Sequence, residues 1–203
     1  MKLSLDIQPL TPDRWADFQT LFGKNGACAG CWCQWWRLTR KVWTAQKGEG
    51  NRRAMRACVK AGPPPGLLAY ANGQPVGWCA VAPREVFTRL ANSRLLQPVD
   101  DQPVWAVTCF FVARDFRRRG VSVALLQAAA SFVRERGGKI LEGYPVEPKR
   151  AQPDAFVYTG LASAFRQAGF TEILRRSATR PILRRVLKTI RKSRKADRKP
   201  IRT

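Results

Sequence analysis

The sequence predicts an α/β fold of the α+β kind, a single domain whose mixed, mostly antiparallel twisted sheet is flanked by helices. Three stretches carry that reading. Residues 66–82, GLLAYANGQPVGWCAVA, form a hairpin around Asn72-Gly73, the strongest short turn signal. Residues 104–138 run from an apolar strand through a basic turn into an amphipathic helix. Residues 139–144, KILEGY, supply another strand, which a right-handed crossover lays parallel to the first.

The middle stretch organises the rest. Val104 to Val112 is an almost unbroken apolar run that suits a strand covered on both faces. From Val121 the period changes: Val121, Ala124, Leu125, Ala128, Ala129, Phe132 and Val133 make one helical stripe, and Gly137 ends it. Between them lies Arg117-Arg118-Arg119-Gly120-Val121-Ser122. A helix start offers free N–H groups and a positive dipole end, and three arginines add charge. Such a turn suits a phosphate-bearing ligand; the plainer reading is a basic surface turn.

The remaining elements follow in chain order. Leu3 to Leu10 reads as a strand. Trp15, Phe18, Leu21 and Phe22 mark a helix that Gly23 stops, with Thr11 and Pro12 at its start. Residues 51–61 form a second helix with a stop at Gly62, and Pro63 to Pro65 is a rigid connector. Residues 84–90 form a short helix. Leu161, Ala164, Phe165 and Ala168 form another, closed by Gly169, and two strands follow near 171–177 and 180–187. The domain therefore spans 1–187, and the basic segment 188–203 is a disordered tail.

Between Gly23 and Thr44, Cys28, Cys31 and Cys33 mix with Trp32, Trp35, Trp36 and Trp43. Cys-x-x-Cys is a common zinc half-site, but no second half is visible, so no metal is assigned. The thiols then act as small hydrophobes in a Trp-rich packing loop, or Trp32, Trp35, Trp36 and Arg37 wall a site for an aromatic or anionic ligand.

Composition narrows the function. The 203 residues carry 37 Lys+Arg against 14 Asp+Glu, a net charge of +23. That balance draws polyanions, although a genome rich in G and C raises arginine content without function. No apolar run is long enough to span a membrane, and MKLSLDIQPLTPDRW lacks the core of a secretory signal, so the expected location is the cytoplasm. The chain has no histidine. Ser-His-Asp and Cys-His chemistry is excluded, which leaves carboxylate, Tyr, Cys, Lys, backbone or water.

The basic turn resembles motif A of the GNAT superfamily of acetyl-CoA-dependent N-acyltransferases, Gln/Arg-x-x-Gly-x-Gly/Ala. Arg117 and Gly120 fill the first two fixed places, and Ser122 replaces the last small residue. NGQPVGWCAV is similar to the hairpin that precedes motif A in these proteins, and Ala168-Gly169-Phe170 to their closing Gly-Phe. The resemblance implies a central strand pair that splays apart, with acetyl-CoA in the gap. It implies that Phe111 and Val112 pair with the pantetheine arm and that the loop Arg117, Arg118, Arg119, Gly120, Val121, Ser122 binds the pyrophosphate. Phe165 stands at the cofactor where a Tyr is usual, and the N–H near Phe111 is the implied oxyanion donor.

The catalytic half departs from the pattern. Ala106 stands where some members carry a Glu base, so Glu142 is the nearest carboxylate for that role, with water the other route. Phe165 cannot protonate the departing thiolate, which leaves Tyr158, at the family's Asn position, as the candidate acid. The expected function is acetyl transfer to a small-molecule or peptide amine in a ternary complex, by a monomer or a homodimer. The alternative is a basic protein bound to nucleic acid or the ribosome, with a degenerate core and a tail that holds polyanions weakly.

Overall fold

The structure, a computed structural model, describes residues 3–150 and 152–188. The tail expected over 188–203 falls, beyond Lys188, outside the described residues. The strands are β1 (Asp6–Pro9), β2 (Gly66–Ala71), β3 (Gln74–Pro83), β4 (Trp105–Val112), β5 (Ile140–Gly143), β6 (Thr171–Arg175) and β7 (Pro181–Val186). They form a seven-stranded sheet in the order β1-β2-β3-β4-β5-β7-β6. Only β4 and β5 pair in parallel; the other neighbours are antiparallel. The mixed, mostly antiparallel sheet of the sequence reading is borne out.

The helices are α1 (Trp15–Phe22), α2 (Arg40–Ala45), α3 (Glu49–Ala61), α4 (Thr88–Ala91), α5 (Val121–Glu135) and α6 (Ala162–Gln167). The punctuation read from sequence falls where backbone geometry needs it. Gly23, Gly62, Gly137 and Gly169 all have positive φ at helix ends, and Asn72-Gly73 turns the hairpin with both φ values positive. One helix was not expected: α2 begins after Thr39, whose hydroxyl accepts from the Val42 N–H.

Helices cover both faces of the sheet. On one face the stripe of α5, with Val121, Leu125, Ala129 and Val133, packs on Leu67, Cys79, Val81 and Val107, and Phe165 and Phe170 extend this layer. On the other, Phe18, Phe22, Trp32 and Met55 pack on Leu68, Trp78 and Ala80. Gly77 lies beneath α5, where a Cβ would come within 2.7 Å of the Val121 side chain. A bare backbone here lets the start of α5 lie directly on the sheet.

A buried ionic network ties the long β3–β4 connection to the far side. Glu142 on β5 is fully buried and accepts from Arg184 Nε at 2.6 Å and from the Tyr144 hydroxyl at 2.5 Å. Arg184 on β7 also grips both carboxylate oxygens of Asp100, at 2.6 and 3.0 Å. Arg84 donates to the Tyr144 hydroxyl and to the Leu96 carbonyl. Arg184 holds the Asp100 carboxyl below its usual range. Removing one partner of such a pair leaves a desolvated charge. Glu142→Ala is therefore expected to lower unfolding stability by about 3 kcal/mol in a urea titration, the lower end for a buried pair because Asp100 still faces Arg184.

Candidate active site

The site begins with one extra residue. Ala80 pairs with Cys109 and Val81 with Val107, so Thr108 is a bulge on β4. The parallel pairing of β4 with β5 stops at the same place, since Val107↔Gly143 is its last pair. Beyond it β4 runs on to Val112 without β5, and a gap opens. The Thr108 hydroxyl is buried at this fork with no partner among the described residues.

Strand alternation decides which backbone groups face the gap. The Ala113 N–H bonds Val76 on the β3 side. The Phe110 N–H instead donates to the Tyr158 carbonyl at 2.6 Å, and the Val112 carbonyl accepts from Arg117 Nε at 3.0 Å. Phe110 and Val112 therefore face the gap, and Phe111 faces β3. This corrects the expectation for Phe111. Its ring lies on the opposite layer, 5.4 Å from Phe22.

The strand leads to the basic turn. Gly120 caps α5 in the left-handed conformation, and no side chain caps the helix. Its first backbone bond is Ala124 N to Gly120 O, so the N–H groups of Val121, Ser122 and Val123 have no intrahelical acceptor. A Cβ at Gly120 would meet nothing within 4 Å, which leaves the approach to these donors open. Three free amides at the positive end of a 15-residue helix fit a pyrophosphate. Arg118, also at positive φ, and Arg119 add charge beside them. Arg117 is different. Its guanidinium spans from the Val112 carbonyl to Asp154, at 2.6 Å, so it fixes the turn to the strand.

Two more candidates are placed in the core. Phe165 is fully buried, and a Cβ on Gly143 would lie 2.0 Å from its ring. The ring meets Phe110 and Phe170 edge-on and closes the floor of the gap, without an exposed edge to touch a ligand. Glu142 has both carboxylate oxygens engaged by Arg184 and Tyr144, which withdraws it from the role of base.

The tryptophans divide in the same way. Trp32 is buried over Gly26 and stacks against Trp15 and Phe22, so it is core and no wall. Trp35 and Trp36 stay half-buried. The Arg89 guanidinium carbon lies over the Trp35 ring, 3.5 Å from its centroid, and the Trp36 ring sits 6.5 Å from the Tyr158 ring. Trp36 Nε1 and Arg89 Nη1 are buried donors with no partner among the described residues. Arg37 turns away, over Phe87 and onto the Pro65 carbonyl. Tyr158 is half-buried, and burial pushes its hydroxyl pKa up to about 12. The sequence reading missed Arg89 and Phe110; the first was one of two arginines on the short helix expected over 84–90, and the second was hidden by the bulge. Among the described residues, no three His, Cys, Asp or Glu groups come together to hold a metal ion.

A forked parallel strand pair with an uncapped helix start at its open end is the crevice of an α/β protein, and its free amides suit a phosphate-bearing ligand. Over residues 32–150 the sequence matches the model of the acetyltransferase (GNAT) family, and the chain belongs to that family. It is accordingly an acyltransferase of a family whose donor is acetyl-CoA. None of the curated proteins matches it in sequence. Among solved structures it is similar to a GNAT-family acetyltransferase from Streptococcus agalactiae, with 13% identity, a TM-score of 0.53, and 92% of this chain and 99% of that one covered. It is also similar to the PaiA N-acetyltransferase from Thermoplasma acidophilum in complex with coenzyme A, with 10% identity, a TM-score of 0.50, and 91% and 99% covered. An N-acetyltransferase from Staphylococcus aureus Mu50 gives 11%, 0.52, 91% and 99%. At these identities the likeness is one of fold.

Gly120 and Gly137 make a matched pair for testing the turn. Both have left-handed φ, 83° and 79°, and both have open space where a Cβ would go. Valine at either should cost about 1–3 kcal/mol of stability, because a β-branched residue strains there. Only Gly120→Val should also weaken acetyl-CoA binding, by more than about tenfold, since it alone crowds the free amides. Calorimetric titration of both variants separates the two effects.

Proposed function

We propose that residues 1–187 form an N-acetyltransferase domain that moves an acetyl group from acetyl-CoA to an amine by direct attack within a ternary complex. The observation that carries this reading is the fork after Val107. It turns the backbone of Phe110 and Val112 into a gap whose far end is the free amides of α5. The amides of Val121, Ser122 and Val123 suit the pyrophosphate, and Arg118 and Arg119 screen its charge. Of the gap-facing N–H groups of β4, that of Phe110 is taken by the Tyr158 carbonyl, so the Val112 N–H is the one that suits the oxyanion of the tetrahedral intermediate.

The acceptor belongs on the other side of β4, between Trp35, Trp36, Arg89 and Tyr158. Aromatic faces there suit an apolar or aromatic body, and the unpartnered Trp36 and Arg89 donors suit an oxygen on it. Tyr158 is the acid for the departing thiolate. With its pKa at about 12, it keeps its proton at pH values where an amine of about 10.4 begins to lose one. Among the described residues no carboxylate takes the part of base, so water removes the amine proton and the rate should rise with pH as the amine deprotonates.

Acetyl-CoA should bind the purified protein in a calorimetric titration, and no heat at high micromolar concentration would overturn the reading. Amines screened by acetyl-CoA-dependent thiol release then identify the acceptor. Tyr158→Phe should lower kcat about a hundredfold and leave acetyl-CoA binding unchanged. An unchanged kcat would return Tyr158 to a packing role.

A further inference from the structure

The three arginines of the basic turn are not held alike. Among the described residues Arg118 and Arg119 have no acidic partner, whereas Arg117 Nη1 donates to Asp154 at 2.6 Å. Asp154 comes from far along the chain, on the short turn Asp154–Phe156 in the Pro-rich connection that follows β5. Residues 152–156 are all exposed, so no buried side chain anchors that turn. Its backbone bonds are local, from the Phe156 N–H to the Pro153 carbonyl and from the Val157 N–H to the Asp154 carbonyl. Among the described residues, the pair with Arg117 is the one hydrogen bond that ties 152–157 to a distant part of the domain. The next residue, Tyr158, is a fixed end, because its carbonyl accepts from the Phe110 N–H.

The pair stands where a phosphate-bearing donor needs charge. Arg117 begins the turn that ends at Gly120, and the free amides of Val121, Ser122 and Val123 follow directly. Its Nε is fixed on the Val112 carbonyl at the end of β4, and Nη1 is the group given to Asp154. A carboxylate and a phosphate offer a guanidinium the same kind of paired oxygens. They differ in what else they gain. The Arg117 and Asp154 side chains are 35% and 61% exposed, and an ion pair so open to water is weak. A pyrophosphate at the same donor also collects the helix amides and the charge of Arg118 and Arg119.

We propose that Asp154 is an internal competitor for the donor's phosphate at Arg117, and that it thereby sets the affinity for acetyl-CoA. On binding, Arg117 Nε keeps the Val112 carbonyl, and Nη1 exchanges the Asp154 carboxylate for a pyrophosphate oxygen. The turn 154–156 loses its tie and moves outward from Tyr158, which stays on Phe110. The donor therefore loosens one segment of the protein while it orders another. Asp154 acts through Arg117 and touches no reacting atom, so it is a positioning residue. The inference rests on the assignment of the pyrophosphate to the α5 amides.

The sign of the effect makes the test. Asp154→Asn should tighten acetyl-CoA binding about threefold in a calorimetric titration, the scale of an exposed ion pair released. Loss of a merely structural contact would not raise affinity. Asp115→Asn removes an exposed acid of the neighbouring turn Arg114–Phe116 that has no ion pair with Arg117, and it should leave the affinity within about 1.5-fold. In an Arg117→Gln background, Asp154→Asn should have no larger effect than Asp115→Asn. Hydrogen–deuterium exchange supplies the second readout: acetyl-CoA should protect the amides of 121–123 and speed exchange in 152–157. Unchanged or weaker binding by Asp154→Asn, an equal gain in the Arg117→Gln background, or exchange in 152–157 that acetyl-CoA slows or leaves unchanged would each overturn the inference, while acetyl-CoA binding by the parent protein stands. Absence of protection at 121–123 would instead overturn the pyrophosphate assignment, and the inference with it.

Discussion

One extra residue in β4 sets the geometry on which the rest of the site depends. Two strands that pair in register stay together until something changes the twist of one of them. The bulge at Thr108 does this at the last pair shared by β4 and β5. It bends β4 away and leaves its outer edge without a strand partner. An unpaired edge is normally a liability, because its amides need acceptors. Here the edge is kept inside the domain, where Tyr158 and Arg117 satisfy part of it, at Phe110 and Val112. The same distortion therefore supplies both the gap between the strands and the hydrogen-bonding groups that face it.

The bulge also explains why the sequence and the structure agree on elements and differ on roles. Hairpin, crossover, helix ends and the closing Gly-Phe are local signals, written in turn residues and in periodicity, and they appear at the expected residues. A bulge reverses the parity of a strand beyond it. Counting by twos through Val104 to Val112 puts Val107, Cys109 and Phe111 on one side. Beyond Thr108, Val107 instead shares its layer with Phe110 and Val112, while Cys109 and Phe111 lie opposite. An all-apolar strand has no polar alternation to betray the slip. The fate of the tryptophans was hidden for a related reason: Trp32, Trp35 and Trp36 are chemically alike, and the left-handed turn at Trp32 and Cys33 that sends them in different directions has no glycine at those two positions to announce it.

Charge needed the fold even more. Glu142 was attractive as a base because it lies on the strand next to the fork, but its partner Arg184 comes from β7 and Asp100 from the β3–β4 connection. None of these is near it in sequence. A carboxylate with no exposure and two strong donors has no path to a substrate proton. The network instead anchors the connection from which α4 presents Arg89. In a chain of net charge +23, acidic groups are few, and this one serves to hold that connection in place.

This division of labour has a chemical consequence. With Glu142 committed, Ala106 in place of a carboxylate and no histidine in the chain, the proposed reaction leaves proton removal to water. The protein's contribution then lies in charge placement. In the proposed reaction the free amides of α5 would hold the donor's phosphates, the Val112 amide would receive the developing oxyanion, and Tyr158 would stay protonated because burial disfavours its anion. A site of this kind asks its substrate to arrive as, or become, a free amine. In the proposed reaction its selectivity would come from whatever Trp35, Trp36 and Arg89 can bind, because positioning the nucleophile is what remains when no side chain acts as general base.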